Sequence, residues 1–301
     1  DSGISNPYQF GFVGASDTHT AAASLDESNF FSKVGLLDAD GGRRGSVPVS
    51  EGDAEVIRSA GRVNIKEIDG SPYAAGAYET WSASGLTGVW AEENARASIY
   101  QAFRRKETFA TSGPRIKLRL FAGFSYEADI LEQEDSIETA YAQGVAMGSE
   151  LHASASIPGS TPRLLASAVR DANSAALQRL QIVKGWTVNG EHHERVYDIA
   201  CSDGGKVDPA THRCPDNGAK VSLTDCSITD DVGAATLSAA WQDPDFDPEN
   251  RAFYYARVLE NPTCRWSTWD AIRAGVQPRS DLHKTLQERA WTSPIWLVPA
   301  G

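Results

Sequence analysis

Residues 11–20, Gly-Phe-Val-Gly-Ala-Ser-Asp-Thr-His-Thr, carry the side chains best suited to chemistry in this chain of 301 residues. The apolar run Phe10 to Val13 reads as a buried strand that ends at Gly14 in a polar tip of Ser16, Asp17, Thr18 and His19. An aspartate and a histidine two residues apart, just past the carboxyl end of a strand, can aim a carboxylate oxygen and an imidazole nitrogen at one or two metal ions. Ions held in this way lower the pKa of a water and clamp a phosphoryl oxygen. The plainer alternative is a strand-end turn with an aspartate cap and a satisfied histidine. Ser16 and Thr18 suit support of the ligands or of the turn better than nucleophilic attack, because no activating base is visible beside them.

Other groups invite weaker readings. Glu92 and Glu93 are candidates for a general base or a ligand, but glutamates in a first helical turn more often complement the helix dipole. Arg43 and Arg44, in a glycine-rich loop, are candidates for a substrate phosphate; a solvated basic pair is the simpler account. Asp243, Asp245 and Asp247 alternate as in a calcium loop, yet Pro248 stands where that loop requires glycine, which favours a proline-stiffened acidic turn. His192 and His193 are adjacent on a strand, so they face opposite sides and do not readily share a metal. Tyr254, Tyr255, Trp266 and Trp269 read as core and rim, with a carbohydrate platform as the minority alternative.

Three readings compete for Cys201, Cys214, Cys226 and Cys264: two disulfides, a zinc site, or free core thiols. No C-x-x-C pair is present, and the surroundings are polar and turn-rich, which favours two disulfides and an oxidising compartment. Connectivity is not readable from the sequence; local closure leans towards Cys201–Cys214 with Cys226–Cys264.

The elements that must position these groups fall into two halves. Residues 20–90 are rich in Gly, Ser and Asp, with short helices expected near 27–31 and 50–60. A connection this long is uncommon unless it serves a site; otherwise it is a surface excursion packed by Trp81 and Trp90. A helix follows, with Glu92 and Glu93 at its start, Ala95, Ile99, Ala102 and Phe103 at helical spacing, and Arg104 to Lys106 in its last turn. Thr111-Ser-Gly-Pro114 then breaks the chain. Beyond it the period becomes two, with strands expected at 115–121, 163–170, 179–186, 193–199, 235–241, 252–260 and 290–298. Asn189-Gly190 supplies a hairpin turn, and 268–274 a short helix. The expected fold is α+β, with a boundary near Gly113: residues 1–112, then an antiparallel β-sandwich over 113–301.

Net charge is −12, from 28 basic and 40 acidic side chains, which disfavours wrapping by nucleic acid. A small anionic substrate remains compatible if metal ions supply local positive charge. No apolar run approaches the length of a membrane span, and the first residues lack the pattern of a signal peptide.

Gly14-Ala-Ser-Asp-Thr-His-Thr20 resembles the final metal-binding motif of the PHP (polymerase and histidinol phosphatase) metallohydrolases. A wider set of motifs resembles one family within that group, the domain of unknown function 3604, mostly secreted or periplasmic bacterial proteins. These are Asn6-Pro-Tyr-Gln-Phe-Gly11, Ser28-Asn-Phe-Phe31 and Thr80-Trp-Ser-Ala-Ser-Gly-Leu-Thr-Gly-Val-Trp-Ala-Glu-Glu-Asn94. Phe109-Ala-Thr-Ser-Gly-Pro-Arg115, Gln181-Ile-Val-Lys-Gly-Trp186 and Asp243-Pro-Asp-Phe-Asp-Pro248 continue the set. It closes with Arg251-Ala-Phe-Tyr-Tyr-Ala-Arg-Val-Leu-Glu260 and Glu288-Arg-Ala-Trp-Thr-Ser-Pro-Ile-Trp296.

The resemblance implies that residues 1–112 are the carboxyl-terminal part of a PHP-like α/β barrel and that the sandwich follows it. It also implies His-x-His and Asp-His motifs in an amino-terminal half of the same protein; after His19 the next histidine is His152, so that half is expected to be the missing partner. On this reading Asp17 and His19 are the last two ligands for manganese, zinc or iron in a phosphoesterase-like hydrolase, and the segment alone is inactive. The contrasting expectation is a non-catalytic β-sandwich that binds or stabilises. A periplasmic or secreted location agrees with the cysteine reading.

Overall fold

The computed structural model describes residues 8–31, 33–61, 63–153 and 160–299; Asn6 and Pro7 of the first family-like motif lie outside them. Its first third holds α1 (Glu51–Ala60), the hairpin β1 (Asn64–Ile68) and β2 (Ser71–Ala75), then β3 (Leu86–Val89), α2 (Arg96–Arg104) and β4 (Thr108–Thr111). Next come β5 (Lys117–Gly123), α3 (Ser136–Gln143), β6 (Val145–Ala146), β7 (Glu150–His152) and β8 (Arg163–Val169). The long hairpin β9 (Leu177–Val188) and β10 (Glu191–Cys201) precedes β11 (Thr236–Gln242) and β12 (Ala252–Glu260). The chain ends with β13 (Thr263–Cys264), α4 (Trp266–Ala274), β14 (Thr285–Leu286), β15 (Arg289–Thr292) and β16 (Ile295–Val298).

Local chemistry accounts for several boundaries. Ser50 caps α1 by accepting the Asp53 amide at 3.1 Å, and Gly61 ends it in the left-handed conformation at φ 66°. Asn189 and Gly190 both take positive φ between β9 and β10, the turn that matches strand twist in a two-residue hairpin. The single strand expected over 290–298 is two. Pro294 donates no amide hydrogen and Ser293 spends its backbone on Thr108, so the chain steps there. As a result β15 pairs with Arg257–Leu259 of β12, and β16 pairs with Ala252–Tyr254 of the same strand.

Two main sheets form. The larger runs β10-β9-β12-β15-β4-β3, with β16 on β12 and β7 on β16; the smaller runs β11-β8-β5-β6. Among the described residues every strand pair is antiparallel except β16 with β7. Leu118 and Leu120 of β5 and Leu164 and Ala166 of β8 share one core with Leu180 and Ile182 of β9 and Tyr254, Ala256 and Val258 of β12. Each fully buried leucine or isoleucine contributes about 1.5–3 kcal/mol. A smaller cluster of Phe121, Tyr126, Ile130, Ala140 and Leu165 covers the outer face of β5 and β8 with α3.

The fold is α+β and mostly sheet. The described residues close no barrel: from the first 112 residues β3 and β4 join the edge of the larger sheet, and β1 and β2 form a separate pair. Strands on both sides of Gly113 therefore lie in one sheet, through β4 and β15. The long excursion over 20–90 is stitched to α4. Glu27 accepts the amides of Ala83 at 2.5 Å and Trp266 at 2.7 Å, and the Arg265 guanidinium and the Trp266 indole both donate to the Trp81 carbonyl.

Disulfides join Cys201 to Cys214 and Cys226 to Cys264, with Cα separations of 5.6 and 5.7 Å, and no described cysteine is free. They tie the turn-rich 202–235 connection to the end of β10 and to β13. No helix among the described residues is long and apolar enough to cross a membrane.

Candidate metal centre

The segment carrying the Asp-Thr-His motif lies against side chains of β12, β4 and β3 without joining the ladder of the larger sheet. The expected buried strand is not formed: residues 9–18 have no strand partner, and Phe10 and Val13 are 59% and 60% exposed. Hydroxyl groups serve its backbone instead. Ser293 Oγ accepts the Phe12 amide at 2.8 Å, Thr108 Oγ1 donates to the Phe12 carbonyl at 2.7 Å, and Thr87 Oγ1 donates to the Gly14 carbonyl at 2.6 Å. Phe12 packs edge-on against Tyr255. Gly14 passes so close to β3 that a Cβ there would lie 2.1 Å from the Leu86 carbonyl oxygen, so this position excludes a side chain.

At the tip Asp17 takes φ +52°, a left-handed conformation that aspartate tolerates better than most residues. The turn brings the Asp17 carbonyl oxygen within 2.9 Å of His19 Nδ1. A carbonyl only accepts, so Nδ1 carries the hydrogen and Nε2 presents its lone pair. The His19 amide donates to the Lys33 carbonyl at 2.7 Å, and Ser16 Oγ accepts the Thr18 amide at 3.2 Å. Thr18 Oγ1 and Thr20 Oγ1 lie 3.1 Å apart. Asp17 and His19 are exposed, Ser16 and Thr18 half-buried, and the Asp17 carboxylate makes no hydrogen bond or ion pair among the described residues.

Both donors thus have the chemistry a divalent ion requires: a free carboxylate and an imidazole fixed in the coordinating tautomer. Two donors do not complete a site, since three or four protein ligands are usual. No group of three or more His, Cys, Asp or Glu among the described residues is placed to hold an ion.

The remaining candidates lie apart from this turn in their chemistry. Arg44 is not solvated. It is buried, with Nε and Nη2 donating to the two oxygens of Asp270 at 3.0 and 2.9 Å and Nη1 to the carbonyls of Phe31 and Asp38. Ser46 Oγ donates to the same Asp270 at 2.7 Å. Arg43 is exposed, pairs with Asp40 at 3.3 Å and donates to the Leu36 carbonyl. Glu92 and Glu93 are not in a helical turn: α2 begins at Arg96 after an extended Ala95, and both glutamates sit exposed in the preceding bend. Glu92 lines a cleft with Trp90, Arg105, Glu107, Arg119 and Tyr141.

The acidic run over 243–247 is divided among partners. Asp243 is buried, pairs with Lys184 Nζ at 2.5 Å and accepts from Tyr254 Oη at 2.7 Å. Asp245 takes Arg195 at 2.6 Å and Tyr197 Oη at 2.7 Å, and Asp247 accepts from Asn250 Nδ2 at 2.7 Å. Tyr254 and Trp266 are core residues, 1% exposed, so they offer no sugar platform. The cleft around Arg119 and the buried acids Glu260 and Glu288 escaped sequence reasoning. Arg119 had one signal: strict alternation over 115–121 puts it on the face opposite Leu118 and Leu120.

Fold and site together define a disulfide-bonded, sheet-dominated α+β protein with an exposed carboxylate–imidazole turn. The chain belongs to the family of proteins of unknown function DUF3604, whose profile matches residues 1–299. No curated protein and no solved structure matches it.

Proposed function

We propose that this chain forms part of a metal-dependent hydrolase, a phosphoesterase of PHP type, to which it contributes the last metal-ligating motif. Asp17 and His19 are the ligands, and the others come from a preceding segment of the same protein. The observation that supports the reading is the His19 Nδ1 bond to the Asp17 carbonyl, which leaves Nε2 and the Asp17 carboxylate free on one exposed turn. Manganese, zinc or iron bound there would supply water activation and charge stabilisation at a phosphoryl oxygen. The chain's own part is to bind and orient: Gly14 lets the segment lie against β3, Ser16 holds the turn, and Lys33 fixes the His19 backbone. On this reading the residues ahead of β3 are the last portion of a barrel completed by the preceding segment. The two disulfides support a periplasmic or secreted location.

The test is phosphoesterase turnover by protein expressed from its complete reading frame, loaded in turn with manganese, zinc and iron. Turnover is expected, with Asp17→Ala and His19→Ala each lowering it by at least about 100-fold. Hydrolysis of no phosphoester with any of these ions, or activity unchanged by Asp17→Ala, sinks the proposal. The first result would favour a second reading, a non-catalytic binding or stabilising module, which the two sheets packed around one core support.

A further inference from the structure

Between the end of β3, the last turn of α2, β5 and α3 lies a cleft of about 700 Å³. The Arg119 guanidinium carbon sits 3.6 Å from the centroid of the Trp90 ring, a distance at which the two flat groups lie face to face. Trp90 is itself pinned, its indole Nε1 donating to the Leu118 carbonyl at 2.9 Å. Arg119 makes no hydrogen bond or ion pair among the described residues, and its Nε is buried without a partner. Burial also holds its pKa below the ordinary arginine value.

The nearby carboxylate is already occupied. Glu107 is buried, accepts from Tyr141 Oη on one oxygen and from Arg105 Nη2 on the other at 3.2 Å, and makes no hydrogen bond with Arg119 among the described residues. Burial and that bond to Glu107 push the Tyr141 hydroxyl up to about 12. Arg105 is exposed and Glu107 buried, so Glu107 acts on both cations, and Arg119 is the one that forms no ion pair with it among the described residues. Glu92, exposed at the rim, adds a negative charge that disfavours a second anionic charge on any occupant.

A half-buried guanidinium without an anion is costly, and stacking on an indole offsets only part of that. Stacked in this way, Arg119 keeps its in-plane N–H groups for a planar acceptor, and a carboxylate matches that fork with two parallel hydrogen bonds. We propose that the cleft between β3, β5 and α3 binds a small organic carboxylate of monosaccharide size, with its anionic group on Arg119. This site is separate from the Asp17–His19 turn and does not depend on the hydrolase reading.

The test is isothermal titration of the full chain with D-glucuronate and with benzoate, against D-glucose, glucose 6-sulfate and glucose 6-phosphate. Saturable binding of at least one carboxylate below about 10 mM is expected, with none of glucose. Arg119→Lys, which keeps the charge and loses the fork, weakens binding about tenfold or more, and Arg119→Gln abolishes it. Asp17→Ala leaves it unchanged, so failure of the hydrolase reading and failure of this one are distinguishable. The melting temperature of Arg119→Gln is expected to hold or rise, because a half-buried unpaired charge is removed. Absence of binding by both carboxylates, saturation by the sulfate or phosphate ester alone, binding unaffected by Arg119→Gln, or marked destabilisation by that change would each overturn the proposal.

Discussion

Replacing Arg44 by alanine would leave the Asp270 carboxylate buried with only the Ser46 hydroxyl facing it. Removal of one member of a buried, two-pronged pair typically costs about 3–5 kcal/mol, because the charge left behind is neither solvated nor paired. Chemical denaturation of Arg44→Ala should therefore show a loss of about 3 kcal/mol or more, and Arg44→Lys only a partial rescue, since lysine lacks the fork. A loss below about 0.5 kcal/mol, the range of ordinary surface changes, would contradict the burial argument. Arg43, one position earlier and exposed, should fall in that surface range. These neighbours have the same residue type and the same glycine-rich context, so the sequence offers no way to separate them. The difference is made by Asp270, 226 positions away. Asp17 and His19 are the opposite case: the contact between His19 Nδ1 and the Asp17 carbonyl is made within three residues, so spacing alone can bring such a pair together.

At the scale of elements, periodicity revealed the strands whose two faces differ. β5, β8, β9, β10, β11 and β12 fall close to the expected positions because alternating apolar residues face the shared core. The run Phe10–Val13 misled because so short an apolar stretch carries no period that separates a core strand from an exposed segment. The hairpin β1–β2, the short strands β6, β7, β13 and β14, and helix α3 gave too few repeats to register. The 202–235 connection has little regular structure and depends on its cross-links. In the loop-closure picture a bridge with a separation of 38 residues, Cys226–Cys264, is worth about 4 kcal/mol, and one of 13, Cys201–Cys214, about 3 kcal/mol. Paired Cys→Ser changes should lower stability by those amounts in thermal unfolding. Equal tolerance of both losses, with no shift in midpoint, would show that the connection is held by its hydrogen bonds alone.

The whole molecule should respond to pH with opposing limbs. Burial raises Glu260 and Glu288 from the usual 4.5 to about 8. In the unfolded chain these carboxyls ionise near 4.5, whereas the folded state keeps them protonated up to about 8. Their contribution is therefore fully present below 4.5 and is lost as pH rises through that interval. Asp281 runs the other way: hydrogen bonds from Arg279 hold its carboxyl well below the usual range, so its contribution is present above the ordinary aspartate value and fades in acid. The melting temperature should peak at acidic pH, about 4–5, and decline towards 8. Glu260→Gln and Glu288→Gln should flatten that decline; an unchanged slope in both variants would show that other groups set it.

The hydroxyl of Ser293 and the amide of Trp266 have a further consequence, because a polypeptide is made from one end. Phe12 waits for a partner 281 positions downstream, and Glu27 for one 239 positions downstream. On the ribosome, the stretch bearing Asp17 and His19 leaves the tunnel well before these two anchors do. Its orientation is thus set only once Ser293 has emerged, so the exposed turn takes its final place after β3, β4 and β12 of the larger sheet.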